Sequence, residues 1–337
     1  MQNGVTFWTE GGSTVGMGHV MRCINIAHAL ESEELPLHFL VNNERPVIDR
    51  LNSESLFHIT YPITGRHAGR LTGGVVVIDT KRDVCEQVHA LKDEGKKVVL
   101  IDNSSSGEAD AVVMPTPLYR GGVNGNLVSG NEYIIIGENF RRARDGKRPG
   151  HSMPLKVLVT MGGSDPFNLT GLALKGLYDV RDIEVTAVIG PAFRTGGALE
   201  EFMAGCGGRF RFVHNVKDLA PLMKETHLAF TAMGTTVFEL AYMGVPSVLI
   251  GNYESDREDL AAVERLGISR SLGCQTEVSA SSIAGAIDFF KTNRREWEEM
   301  SAKAMSLTDG KGAFRIASLI RSLLDGAREA GRDGWPG

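Results

Sequence analysis

The chain has little that would tie it to a membrane, to nucleic acid or to an oxidising compartment. No apolar run approaches the roughly 18 residues of a spanning helix, and no basic-then-apolar leader opens the sequence, so no secretion signal is expected. The formal charge is −5 and the lysines and arginines are scattered, which excludes the basic stripe of a nucleic-acid binder. Only 4 cysteines occur, Cys23, Cys85, Cys206 and Cys274. They form no Cys-x-x-Cys and stand near no histidine pair, so neither a zinc site nor a disulfide framework is expected. These absences predict a cytoplasmic protein with no metal, no cofactor, no nucleic acid partner and no membrane span; the oligomeric state stays open, with a monomer favoured.

What is present is an alternation of apolar strands with helix-patterned segments, in a chain of 337 residues, enough for about two domains. Hydrophobic residues make up 42% and charged ones 23%, the balance of an ordinary globular protein with a sizeable core. The first strand is read at 5–8. It runs into the glycine-rich stretch from Glu10 to Arg22, and helical spacing follows at Val20, Ile24, Ala27 and Leu30. Gly16 and Gly18 flank Met17 and allow a ligand close to the main chain where a helix begins, which is how an anion site is built. His19 then falls in the first turn, with Arg22 one turn on.

Two readings fit that corner: a tight turn with an incidental histidine, or a loop that receives a phosphorylated ligand and offers it an imidazole. The dinucleotide fingerprint fails because Met21 holds the place of its third glycine and no acidic residue ends the next strand. A P-loop fails for want of Gly-Lys-Ser/Thr.

Further strands are expected at 37–41, 75–78 and 97–101, with helices at 46–51 and 83–94. Asp79 and Asp102 fall at strand carboxyl ends, where ligands of parallel sheets gather and where aspartates also cap turns. A short strand is expected at 133–136, and the basic run 141–150 reads as a linker. The domains are therefore expected at 1–149 and 150–337. The second half restarts with a strand at 155–160, the loop Met161-Gly162-Gly163-Ser164-Asp165-Pro166 and a helix from Phe167, with Asp165 as N-cap.

Strands at 184–189 and 210–213 and helices at 199–203 and 218–223 lead to a third corner. There a strand at 228–230 precedes Met233-Gly234-Thr235-Thr236 and a helix at 237–243. Thr236 and Glu239 have capping-box spacing. Alternatively the loop amides and the Thr235 and Thr236 hydroxyls bind a diphosphate while Glu239 accepts the hydroxyls of a ribose. The run 254–259 opens another helix, three more helices complete the chain, and the tail from 326 is expected to be loosely ordered.

Four stretches taken together resemble a known group: Gly16-Met17-Gly18-His19 with Arg22; Glu138-Asn139-Phe140-Arg141; Met161 to Asp165 with Asn168; and Gly234-Thr235-Thr236 with Glu239 and Pro246. The chain resembles the nucleotide-sugar hydrolases of pseudaminic acid synthesis, and spore-coat polysaccharide proteins look similar. The resemblance runs from about residue 5 to residue 266. It implies an α/β fold of GT-B type, with two Rossmann-type domains facing across a cleft, related to the glucosaminyltransferase of peptidoglycan synthesis.

It also implies the chemistry: water attack at the anomeric carbon of a UDP-linked 2,4-diacetamido-2,4,6-trideoxy sugar, with His19 catalytic. Implied substrate contacts are Gly16, Met17, Gly18, Arg22, Asp79, Asn139, Phe140 and Arg142. Implied nucleotide contacts are Gly162, Gly163, Ser164, Asn168, Met233, Gly234, Thr235, Thr236, Glu239 and Ser255. The chain departs from the group where Arg-x-Asp is usual, having Trp8-Thr9-Glu10, and where Asp-His-Tyr is frequent, having Asp79-Thr80-Lys81. A nucleoside diphosphate is a good leaving group, so one base and good anion binding suffice, without the second carboxylic acid of ordinary glycosidases. A glycosyltransferase of the same architecture or a non-catalytic nucleotide-sugar binder would share most of these features.

Overall fold

The computed structural model describes residues 4–31, 35–63, 73–121, 125–146, 150–190, 201–202, 205–214 and 216–332. Packing divides it into two units, one made of 1–135 with 310–337 and the other of 136–309.

In unit 1, seven parallel strands form a sheet in the order β3-β2-β1-β4-β5-β6-β7. They are β1 (Val5–Thr9), β2 (Leu37–Val41), β3 (His58–Thr60), β4 (Val75–Asp79), β5 (Lys97–Ile101), β6 (Ala111–Met114) and β7 (Leu127–Ser129). Helices α1 (Gly18–Leu30), α2 (Arg45–Ser53) and α3 (Cys85–Asp93) alternate with them. Side chains of the central strands alternate between two cores, because successive strand residues point to opposite faces. Val5, Phe7, Val75 and Val77 join one, with Val20, Ile24, Ala27 and Leu30 of α1. Trp8, Val76 and Ile78 join the other, with Val88 and Leu91 of α3. Apolar residues on both faces are what continuous apolar strand runs require.

Unit 2 opens with α4 (Glu138–Ala143). Its six parallel strands lie in the order β10-β9-β8-β11-β12-β13, namely β8 (Leu155–Thr160), β9 (Ile183–Ile189), β10 (Phe210–His214), β11 (Leu228–Ala232), β12 (Ser247–Gly251) and β13 (Ser269–Cys274). Between and after them run α5 (Leu169–Leu177), α6 (Ala220–Glu225), α7 (Thr236–Met243), α8 (Arg257–Arg265), α9 (Ala280–Thr292) and α10 (Arg294–Ser306). The strand order reverses between β8 and β11, the switch point where such sheets open a crevice.

Several expectations are corrected. The linker read at 141–150 begins inside α4, whose Phe140 is buried, and the division falls after Ile135 rather than near 150. The tail expected to be loose from 326 continues as helix to 332, and 333–337 lie outside the described residues: α11 (Gly312–Arg332) is continuous and belongs to unit 1, where Ile316, Ile320 and Leu324 complete the core beneath α1. That apolar stripe needs a partner, and the stripe of α1 supplies it. The strand read at 133–136 is a 3-10 turn (Asn131–Tyr133) running into an extended segment. The short strands β3, β6, β7 and β13 were not anticipated. The helix expected at 199–203 lies largely outside the described residues.

Candidate active site

In unit 1 the chain leaves β1 through a loop closed on itself: Gly12 and Gly16 exchange backbone hydrogen bonds of 2.8 and 2.9 Å. Both have positive φ, 124° and 72°, a conformation that side chains disfavour. Asn42, at the end of β2, clamps the loop by accepting from the Gly11 amide (3.0 Å) and donating to the Gly11 carbonyl (2.7 Å). Helix α1 starts at Gly18 with Met17 as a cap that offers no side-chain bond.

Parallel pairing sets Asp79 opposite Thr9, so the carboxyl end of β4 lies beside the loop that leads into His19 of α1. Nδ1 of His19 is 2.6 Å from Oδ1 of Asp79, which is fully buried. Arg22 grips the same carboxylate with Nε (2.9 Å) and Nη2 (2.7 Å) and reaches Asp102 with Nη1 (2.8 Å). Nη2 also lies 2.7 Å from His19 Nδ1. These contacts pull the tautomer in opposite directions, and we assign it from the shorter one, to Asp79. A carboxylate gripped by a guanidinium only accepts, so Nδ1 carries the proton and donates it to Asp79. The approach of Nη2 to the same nitrogen is then a close contact rather than a hydrogen bond. The lone pair is left on Nε2, for which no partner is found among the described residues.

Burial works to lower the Arg22 pKa, but Asp79 and Asp102 overcome it and raise it further above its ordinary value. For Asp102 burial pushes upward, yet Arg22 and Lys81 prevail and hold the carboxyl below its usual range. Lys81 reaches Asp102 at 2.8 Å. Asp102 has φ 53°, an uncommon backbone state held at the end of β5.

A second cluster joins the two places where the sequence departs from the group it resembles. Thr80 donates to buried Glu10 at 2.5 Å, and Arg82 donates to both Glu10 oxygens at 2.9 Å. Asn103 ties down the turn by donating to the carbonyls of Thr80 and Arg82, each at 2.7 Å. Arg82, Asn42 and Asn103 were not foreseen as site residues. Their one sequence signal is a polar side chain at or just beyond the end of a buried strand.

In unit 2 the loops after β8, β11 and β12, neighbouring strands, carry Gly162, Gly163, Ser164 and Asn168; Met233, Gly234, Thr235 and Thr236; and Ser255. Gly162 has φ 84°, and a side chain on Gly190, at the end of β9, would collide with the carbonyls of Gly162 and Gly163. The expected cap is corrected: α5 begins at Leu169 with Asn168 as N-cap, its side chain accepting from the Gly171 amide. Asp165 lies one turn earlier and accepts from Leu169 and Thr170 amides at 2.7 and 2.9 Å. Burial raises its carboxyl pKa despite those donors.

The capping box of Thr236 and Glu239 does not form. The N-cap of α7 is Thr235, without a side-chain bond. Glu239, half-buried in the first turn, has no partner among the described residues, and burial pushes its carboxyl up to about 7. First-turn amides have no partner inside a helix, so this corner offers N–H donors beside an unpaired carboxylate.

Asn139, Phe140 and Arg142 belong to α4 in unit 2, not to the first domain as expected. Phe140 is buried, Asn139 donates to Asp218 at 2.6 Å, and Arg142 pairs with Glu138 at 2.5 Å. Among the described residues no hydrogen bond or ion pair joins these three side chains to the three loops, although α4 packs against α7. Among the described residues no His, Cys, Asp and Glu cluster is placed to hold a metal, and no helix is long and apolar enough to cross a membrane.

No protein-family model matches the chain. Among curated proteins, an uncharacterized protein of Methanocaldococcus jannaschii is 27% identical over 273 residues, 74% of this chain but 56% of that protein. The match therefore spans little more than half of that relative. The spore coat polysaccharide biosynthesis protein SpsG of Bacillus subtilis is 22% identical over 340 residues, covering 95% of this chain and 98% of SpsG.

Among solved structures, MurG of Acinetobacter baumannii matches with a TM-score of 0.63 at 15% identity over 95% of this chain and 99% of its own. The spinosyn forosaminyltransferase SpnP gives 0.69 at 12% identity over 96% and 100%. The fold is that of the GT-B glycosyltransferases and epimerases. The UDP-GlcNAc 2-epimerase of Neisseria meningitidis, in a structure bound to UDP-GlcNAc, gives 0.64 at 10% identity over 94% and 100%. The last of these is bound to a nucleotide sugar, and the chain is homologous to a polysaccharide biosynthesis protein.

Proposed function

We propose that the protein hydrolyses a nucleotide sugar at the anomeric carbon, releasing a nucleoside diphosphate and a free amino- or deoxy-sugar for surface-glycan synthesis. The observation that carries this reading is the His19–Asp79 pair with Nε2 unpartnered. A water oxygen attacks C1 of the sugar as its bond to the diphosphate oxygen breaks, and the bonding electrons leave on that oxygen. The water proton passes to Nε2 while Nδ1 keeps its own proton on Asp79. Asp79 is a positioning residue; its charge is already shared with Arg22, so its part is to fix tautomer and ring orientation.

Unit 2 holds the nucleotide in this reading: the amides of Gly234, Thr235 and Thr236 take the diphosphate and Glu239 the ribose. Gly162, Gly163, Ser164 and Ser255, on the loops either side, complete the surroundings. The unpaired carboxyl of Glu239 supports this, because burial disfavours its charged form and ribose hydroxyls supply the donors that would stabilise it. Gly16, Met17 and Gly18 leave the main chain open on the sugar side.

A second reading is transfer to an acceptor hydroxyl, favoured by the likeness to a protein named a forosaminyltransferase. Incubation with UDP- and CMP-sugars, with and without an acceptor, separates the two by the release of free nucleotide. Release in water alone, abolished by His19→Asn, is expected. Release only with an acceptor would establish the transferase, and binding without turnover would overturn both.

A further inference from the structure

Two large rings stand exposed on the loops of unit 2 that flank the β11–α7 corner. Phe167, after β8, is 40% exposed, and Tyr253, after β12, is 50% exposed. Their strands lie on either side of β11, so the loops start roughly 10 Å apart, two strand spacings. The rings nevertheless meet, with centroids 5.4 Å apart and planes at 78°.

Neither ring is there for want of a better place. Phe167 lies in a turn between Asp165 and Asn168, whose φ values are 40° and 53°, and the Asp165 carboxylate ties that turn to α5. The amides of Asn252 and Tyr253 both donate to Asp256 Oδ2, at 2.9 and 3.1 Å, and the Cys274 thiol meets the Tyr253 carbonyl at 3.3 Å. Two pinned backbones thus hold two apolar rings out to solvent, bridging the approach to the loop that carries Thr235 and Thr236. Exposed aromatic area held rigid is what a binding surface needs and a core does not.

We propose that Phe167 and Tyr253 form the subsite for the sugar of the nucleotide sugar, taking its apolar C–H face. The inference rests on the reading above that unit 2 holds the diphosphate after β11. The edge-to-face angle selects the sugar over the base. A flat base is served by one parallel ring or by a slot between two, whereas two walls near a right angle fit a saturated ring whose C–H groups and substituents point in several directions. The Tyr253 hydroxyl adds a polar handle for a ring hydroxyl or an acylamino group. Sugars with deoxygenated or N-acylated positions present the apolar face this corner favours.

Calorimetry on the full chain with UDP and with UDP-N-acetylglucosamine tests this, using the native protein and the Phe167→Ala, Tyr253→Ala and Tyr253→Phe variants. The native protein is expected to bind both ligands, the sugar nucleotide more tightly. Either alanine variant should weaken the sugar nucleotide by roughly tenfold and leave UDP within about twofold, while Tyr253→Phe, which keeps the ring and loses only the hydroxyl's hydrogen bond, should weaken it by a smaller factor. Both rings are exposed, so unfolding is not expected, and a melting curve verifies each variant. Equal losses for both ligands would place the nucleoside on the rings and overturn the proposal, as would no loss for either. A native protein that bound neither, nor the matching CDP and CMP ligands, would instead remove the nucleotide reading on which the subsite rests.

Discussion

Nδ1 of His19 and Oδ1 of Asp79, separated by 60 residues of chain, stand 2.6 Å apart at the carboxyl edge of one parallel sheet. Because Asp79 can only accept, the pair leaves the basic nitrogen of the ring pointing away from its anchor.

Asp79→Asn should therefore cost turnover more than binding. An amide in that place can present N–H to Nδ1 and favour the opposite tautomer, which removes the lone pair from Nε2. Turnover is expected to fall by about 10²–10⁴ with nucleotide affinity nearly intact. His19→Ala and His19→Asn should fall in the same range, and the double variant no further, because the residues act as one unit. Steady-state rates and calorimetry on the four proteins check this; near-native turnover of His19→Asn on a verified substrate would end the mechanism.

Glu239 gives a pH dependence with a defined sign. Its carboxyl is raised from 4.5 to about 7 by burial. The empty fold therefore keeps a proton that the unfolded chain has lost, and this contribution to stability is full below pH 4.5 and vanishes as pH rises through 7. Ribose hydroxyls donate to the ionised form, so nucleotide affinity should drop as pH falls below 7, by up to about tenfold per unit, with proton release on binding. Glu239→Gln should abolish both trends and weaken binding by about 1–3 kcal/mol. Calorimetry in buffers of different ionisation enthalpy reads the proton directly.

Buried His227 should act at the acid end. Burial, then Lys156 and His151, depress its pKa below 6.5, and its Nδ1 accepts the Lys156 amide at 3.2 Å, which requires the neutral ring. The unfolded chain takes up a proton that the fold refuses, so this contribution is full above pH 6.5 and is lost as pH falls below it. Denaturant titrations from pH 7.5 to 5 should show a slope that His227→Asn flattens.

The fragment 136–309 should fold alone and bind nucleoside diphosphate. A 150–337 fragment should fold poorly, because it lacks α4 and carries α11 with Ile316, Ile320 and Leu324 stripped of the core they complete. Circular dichroism melts and calorimetry on the two fragments decide it; equal folding and binding by both would return the boundary to the basic run near 150.

The sequence by itself determined what is local. Apolar runs ended by glycine, aspartate or threonine marked nearly every central strand and each glycine-rich corner, because buried parallel strands and glycine turns leave their signature within a few residues. It marked His19, Arg22, Asp79 and Glu239 one by one. It did not show that Asp79 orients His19, that Glu10 meets Thr80, or that Glu239 is left out of the capping box. The first two were decided by strand register, which sets Thr9 beside Asp79, and the third by the N-cap of α7 falling on Thr235 rather than Thr236. Short strands such as β3 and β7 escaped notice because three residues carry too little periodicity to read. The placing of α11 was equally hidden. An amphipathic stripe demands an apolar partner without naming it, and only the packed structure shows that its partner is α1, almost 300 residues earlier in the chain.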